Sequence, residues 1–167
     1  CEDRHLEFHV RRMHGHHFSD YAFEQLRVGD AVTLRGPRGD FVLDTESSRP
    51  IVFIVFCTGF APVKSLMEHA LALDQAESMH LIWVAAKSSG HYLSGLARSW
   101  ADALDNFYYE PILVGGDLDA TASRQETIIQ KNVAPKVYIA GPALAVGTMK
   151  KILVERVAEE QIFTDYE

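Results

Sequence analysis

Ile51-Val52-Phe53-Ile54-Val55-Phe56-Cys57-Thr58-Gly59-Phe60-Ala61-Pro62 is the stretch that decides the fold. Its first seven residues are the longest unbroken apolar run in the chain. A β-branched run of this kind suits a strand buried on both faces, the position of a central strand in a parallel sheet. The run ends at Thr58-Gly59. Pro62 follows where a first helical turn tolerates a missing N–H. The reading is strand, tight turn, helix. The backbone N–H groups of such a turn, with the helix dipole behind them, can seat an anion such as a phosphate. Gly59 is equally compatible with a plain tight turn, and one glycine does not separate the two readings.

Toward the C-terminus the alternation repeats. Residues 61–73 place Leu66, Met67, Ala70 and Leu73 at helical spacing, and 80–86 are a second apolar run. Residues 93–104 carry Leu93, Leu96, Ala97, Trp100 and Leu104 on one helical stripe. Residues 107–114 read as a strand, 123–130 as a helix, 137–140 as a strand, 143–154 as a helix, and Ile162-Phe163 as a last short strand. Strands alternating with helices predict an α/β fold with a doubly wound five-stranded parallel sheet and right-handed crossovers. Ligands of such sheets lie at the carboxyl ends of the strands. Ala140-Gly141-Pro142 is a second pointer to that edge: Gly141 lets a ligand approach the backbone and Pro142 opens a helix.

Toward the N-terminus the rhythm differs. Residues 6–11 alternate apolar and polar, 18–26 read as a short helix, and 31–34 and 41–43 as short strands. Val28-Gly29-Asp30 and Gly36-Pro37-Arg38-Gly39 are turns. Short strands between turns predict antiparallel structure, part of a barrel. A polar connector leads to Pro50. The expected domains are therefore 1–48 and 49–167.

The chain has 167 residues, of which 47% are apolar and 23% charged, ordinary values for a globular protein. A membrane-spanning helix needs roughly 20 apolar residues, so none is expected. The first residues lack the apolar segment of a signal peptide. A net charge of -7 argues against nucleic acid and anionic lipid as partners. Two cysteines, Cys1 and Cys57, make no disulfide framework, and a cytoplasmic setting is expected. Cys57, beside a helix N-terminus, reads either as a reactive thiol or as a small buried residue. His5, His9, His14, His16 and His17 match no standard zinc spacing and read as a solvated turn, so no metal is expected. Trp83 and Trp100 read as packing. Asp20, Glu24 and Asp30 read as a solvated face and caps.

Taken in order, these motifs resemble the C-terminal part of the ferredoxin–NAD(P)+ reductase superfamily. Within it the resemblance is to phenol hydroxylase reductases and CDP-6-deoxy-glucoseen reductases. His9-Val10-Arg11-Arg12 and Phe18-Ser19-Asp20-Tyr21 resemble the flavin-domain strand and the helix that receives the FAD pyrophosphate. Val28-Gly29-Asp30 and Gly36-Pro37-Arg38-Gly39-Asp40-Phe41 resemble the family's GD…GP.G.F stretch. Thr58-Gly59-Phe60-Ala61-Pro62-Val63-Lys64-Ser65 resembles its TGFAPIKS loop. Val137-Tyr138-Ile139-Ala140-Gly141-Pro142 resembles its strand end before the last helix.

The resemblance implies an NAD(P)H-dependent flavin oxidoreductase that passes electrons from nicotinamide via FAD to an iron–sulfur centre or a protein acceptor. The acceptor would be an iron–sulfur domain or an oxygenase or dehydrase component, with any 2Fe-2S cluster outside this sequence. It implies a fragment of an antiparallel β-barrel flavin domain before the nucleotide domain. Gly15 and Ser19 would contact FAD phosphate. Thr58, Gly59, Pro62, Lys87, Gly141 and Pro142 would bind nucleotide. No side chain is assigned a catalytic role. The family's Arg-x-Tyr-Ser flavin strand has no match, so weak FAD binding is expected. Phe56 and Cys57 stand where the family has glycine, Ala140 where it has cysteine, and Lys87 where it has arginine. The family's C-terminal aromatic corresponds to Tyr166. Cys57→Gly is expected to strengthen nucleotide binding, and Lys87 with Ser88 and Ser89 implies NADH over NADPH, with Arg124 within reach from a later segment. A second reading, favoured by Phe56, Cys57 and Ala140, is a non-catalytic nucleotide-binding domain that has lost flavin.

Overall fold

A computed structural model describes residues 6–74, 76–114 and 134–166. The chain divides into two compact units, Cys1–Asp40 and Phe41–Glu167. The first contains helix α1, His17–Glu24.

The second unit is built on five strands: β1 Ile51–Phe56, β2 Met79–Ala85, β3 Phe107–Leu113, β4 Lys136–Gly141 and β5 Ile162–Tyr166. Their order is β3-β2-β1-β4-β5, and every pairing is parallel. The chain thus builds outward from β1 in one direction and then crosses to its other side. That reversal makes the β1/β4 boundary the switch point of a doubly wound sheet.

The unbroken apolar run in β1 follows from burial of both faces. One face presents Phe53, Val55, Leu81, Trp83, Tyr138 and Ala140 to α2 (Phe60–Leu73) and α3 (Ser94–Ala103). The other presents Val52, Ile54, Ile82, Val84, Val137 and Ile139 to α4 (Ala143–Leu153). Each large apolar side chain buried this way stabilises the unit by roughly 1.5–3 kcal/mol.

The connector is tied to β4. Phe41 packs edge-on against Tyr138, and the Asp44 backbone N–H donates to the Tyr138 hydroxyl at 2.8 Å. Burial pushes the Tyr138 phenol up to about 12. The buried Lys136 ammonium donates to the carbonyls of Asp44 at 2.7 Å and Ser47 at 3.0 Å. It also pairs with the Asp44 carboxylate at 3.0 Å.

Among the described residues the α/β order expected from Pro50 onward is found. The three short strands expected at 6–11, 31–34 and 41–43 are not: none forms a ladder among the described residues. Alternation gives a strand two faces but not a neighbour, and a lone strand or hairpin is marginal in water. The last strand is longer than expected, because Thr164, Asp165 and Tyr166 continue the pairing to the end of β4. The helix expected at 123–130 lies outside the described residues. Among those described, no helix is long and apolar enough to cross a membrane.

Candidate functional site

The turns after β1 and β4 meet at the switch point. A Cβ on Gly59 would lie 2.3 Å from the Ala140 carbonyl oxygen and 2.6 Å from the Gly141 nitrogen. A Cβ on Gly141 would lie 2.5 Å from the Phe56 carbonyl oxygen, and Gly141 has φ +139°. The two strand ends thus touch backbone to backbone. Both glycines are required by the protein's own packing, quite apart from any ligand.

Two helices start from this contact. The N-cap of α2 is Gly59 and that of α4 is Pro142, and neither end has a side-chain cap hydrogen bond. Thr58 lies in the short 3-10 turn Cys57–Gly59, and Pro62 falls in the first turn of α2. In these first turns the Phe60 N–H donates to the Thr58 carbonyl, the Ala145 N–H donates to the Pro142 carbonyl at 2.9 Å, and Pro62 has no N–H, while the dipole adds partial positive charge at each end. Lys87 is exposed just past β2, ahead of the 3-10 turn Ser88–Gly90. Thr58, Gly59, Pro62, Lys87, Gly141 and Pro142 therefore all lie at the carboxyl edge of one sheet. Gly15 and Ser19 belong to the other unit.

The β1–α2 turn is braced from β2. Cys57 is half-buried and adopts φ +54°, a left-handed conformation unusual for a residue with a side chain. Its carbonyl accepts the Trp83 indole Nε1–H at 3.1 Å. The Trp83 ring stacks on Phe60, with centroids 4.0 Å apart and planes 10° from parallel. His91, buried and turned inward, donates Nε2–H to the Trp83 carbonyl at 2.8 Å. The tautomer follows, since a carbonyl only accepts. Tyr92 closes the cluster edge-on to both Phe60 and Trp83.

Sequence reasoning took Trp83 as packing alone. A buried tryptophan needs an acceptor for its N–H, and that requirement was the available signal. Asp165 was also missed. It pairs in register with Ala140 at the same edge, and burial pushes its carboxyl up. Tyr166 lies opposite Gly141 and is half-exposed.

In the first unit the expected phosphate contacts each bond to a neighbouring residue. The Gly15 N–H donates to the Asp20 carboxylate at 3.1 Å, and the buried Ser19 hydroxyl accepts the Met13 N–H at 2.7 Å. Asp20 also places negative charge in the first turn of α1. Asp20 takes up the Gly15 N–H that the resemblance assigns to FAD phosphate, and the Ser19 hydroxyl keeps its own hydrogen to donate. Among the described residues, no group of His, Cys, Asp or Glu could hold a metal ion.

No family model matches the chain. Protein RfbI of Salmonella typhimurium is 34% identical over 118 residues, 71% of this chain and 35% of that protein. The CDP-6-deoxy-L-threo-D-glycero-4-hexulose-3-dehydrase reductase of Yersinia pestis is 34% identical over 113 residues, 67% of this chain and 33% of its own. Reductase component 2 of a Comamonas terephthalate 1,2-dioxygenase is 31% identical over 118 residues, 70% of this chain and 35% of that component. The chain is a homologue of these proteins, the last two of which are named as reductases. It spans about a third of their length.

Solved structures agree on the fold. The Amycolatopsis cytochrome P450 reductase GcoB superposes with TM-score 0.81 at 24% identity, covering 94% of this chain and 50% of that one. The CS-b5R domains of human Ncb5or, in an NAD+ form, give 0.78 at 14% identity, covering 93% and 47%. The resemblance to ferredoxin reductase-type proteins, drawn above from the motifs, is borne out.

Proposed function

We propose that this chain is the nicotinamide-nucleotide-binding part of an NAD(P)H-dependent flavin oxidoreductase of the ferredoxin reductase type. In that reading the whole protein is a reductase component, carrying electrons from nicotinamide via FAD to an iron–sulfur centre or protein acceptor in the cytoplasm. The observation that carries the reading is the switch point, where two helix N-termini without side-chain caps converge across touching strand ends. The positive ends of the α2 and α4 dipoles would attract the pyrophosphate, with Thr58, Gly59, Gly141 and Pro142 shaping the floor. Lys87 would meet the adenine ribose as a single point charge, without the fork of an arginine. A 2′-phosphate adds about two negative charges at that point, so NADH is the expected partner over NADPH. The relatives named for a dehydrase and a dioxygenase support an acceptor of that class.

FAD, when bound, supplies the redox chemistry between nicotinamide and acceptor. The internal bonding of Gly15 and Ser19 favours a second reading, a nucleotide-binding domain that does not itself retain flavin. One preparation separates the two. Calorimetry with NADH and NADPH should show binding, tighter for NADH, and no binding of either at millimolar concentration overturns both readings. A flavin absorption band surviving dialysis supports the reductase, whereas a colourless protein that binds nucleotide supports the second reading.

A further inference from the structure

We propose that Trp83 is a positioning residue for the nucleotide loop, its indole N–H fixing the direction of the Cys57–Thr58 peptide. This rests on the nucleotide reading given above. Three observations meet at this side chain. Its Nε1–H reaches the Cys57 carbonyl at 3.1 Å, at the start of the β1–α2 turn. Its ring stacks at 4.0 Å on Phe60, the first residue of α2, at the end of the turn. Its own carbonyl is held by His91 Nε2–H at 2.8 Å. Trp83 is fully buried, so it braces both ends of a three-residue turn from beneath.

The turn needs a brace. Cys57 sits at φ +54°, where a non-glycine residue is strained. The direction of its carbonyl matters for charge. In a planar peptide the carbonyl and the following N–H point opposite ways, so a carbonyl held toward the indole turns the Thr58 N–H away from it. If that carbonyl swung into the crevice, its lone pairs would face the oxygens of an anionic phosphate. The turn would then bind nucleotide only in the fraction of molecules with the held conformation, and the apparent affinity would fall by that fraction.

The test uses the full chain and two variants. Trp83→Phe keeps a ring against Phe60 and removes the donor. It should weaken NADH binding about three- to tenfold by calorimetry, the effect of losing one hydrogen bond. Cys57→Gly should recover more affinity in the Trp83→Phe background than in the parent, because glycine holds φ +54° without a brace. A purely structural role would give no such coupling. Affinity within twofold of the parent, or gains from Cys57→Gly that are equal in both backgrounds, overturns the proposal. The chain has two tryptophans, so its indole N–H signals offer a second readout. If Trp83→Phe does not fold, the parent decides alone. NADH should shift the Trp83 indole cross-peak and leave that of Trp100, packed on Phe107. An unmoved Trp83 signal overturns the proposal. A parent that binds no nucleotide overturns the function reading and this inference together.

Discussion

Between Leu6 and Asp40 only Ser19 is buried, whereas β1 alone buries all six of its side chains. The contrast lies in the kind of pattern each region carries, since both contain large apolar residues. Leu6, Phe8, Phe18, Phe23, Val28, Val32 and Leu34 all remain exposed. A βα repeat supplies its own cover, because each crossover lays a helix on the strands it connects. An alternating antiparallel segment supplies one apolar face and leaves the other half of the core to a neighbour. A period of two therefore specifies which side chains share a face, and burial depends on strands elsewhere.

The largest expected consequence is in hydrogen exchange. Amides of β1 and β4 should open only with global unfolding, while those of 6–40 outside α1 exchange through local fluctuation. With domain stabilities of about 5–15 kcal/mol, the protection should differ by roughly a thousandfold or more. Comparable protection in both regions would break the comparison.

Glycine substitutions sharpen it. Gly29 and Gly141 both have positive φ, at +96° and +139°. A Cβ on Gly29 meets nothing within 4 Å, whereas one on Gly141 meets the Phe56 carbonyl oxygen at 2.5 Å. Gly141→Ala combines backbone strain with a clash that side chains cannot relieve, on the order of 3 kcal/mol. The melting temperature should fall by about 6–12 °C, and nucleotide affinity with it. Gly29→Ala carries the strain alone, in a region with no core, and should leave the main thermal transition in place. Equal shifts would mean that the two units unfold as one.

The connector gives a smaller effect. Lys136→Met removes the ammonium that three oxygens of Asp44 and Ser47 share. Two carbonyls lose a charged donor, for about 2 kcal/mol and a drop of roughly 4–8 °C. Acid titration checks the cause. The Glu46 N–H, and then Lys136, hold the Asp44 carboxyl below its ordinary value. The stability this provides is present above the unfolded value near 3.8 and is lost as pH falls through the depressed folded value. The variant should therefore lose less stability than the parent on acidification, and identical acid profiles would remove Asp44–Lys136 from the explanation.

Much of this was legible in the residues. The 51–62 stretch announced its strand and helix because burial on both faces leaves no choice of residue type. Gly59 and Gly141 were legible as glycines that matter, and less so for why: they meet each other's strands, a contact that only the topology creates. The φ of Cys57 went unread, although the glycine of the resembled family at that position was a signal for a left-handed residue. The role of Trp83 was hidden because its acceptor is a backbone carbonyl 26 positions away. The expected strands of the first unit failed for the opposite reason, a pattern read correctly but with no ladder to join.

The smallest expected effect concerns two carboxylates, one in each region. Asp30 in the first unit accepts the Arg27 backbone N–H at 2.7 Å in an exposed turn. Asp165 lies on β5 beside Ala140, where burial raises its carboxyl and the Tyr166 backbone N–H offsets part of that. An acid with a raised folded value binds its proton more tightly when folded. Its contribution to stability is thus full below the unfolded value near 3.8 and is lost as pH rises through the raised value. At neutral pH the ionised Asp165 is a small cost, and it also places negative charge at the edge proposed to receive phosphates. Asp165→Asn should raise the melting temperature by roughly 1 °C at pH 7, shrinking toward zero in acid, and should tighten NADH binding slightly. Asp30→Asn should change neither. A gain at Asp165 that persists unchanged below pH 3 would trace to amide hydrogen bonding, leaving the carboxyl's burial without a role.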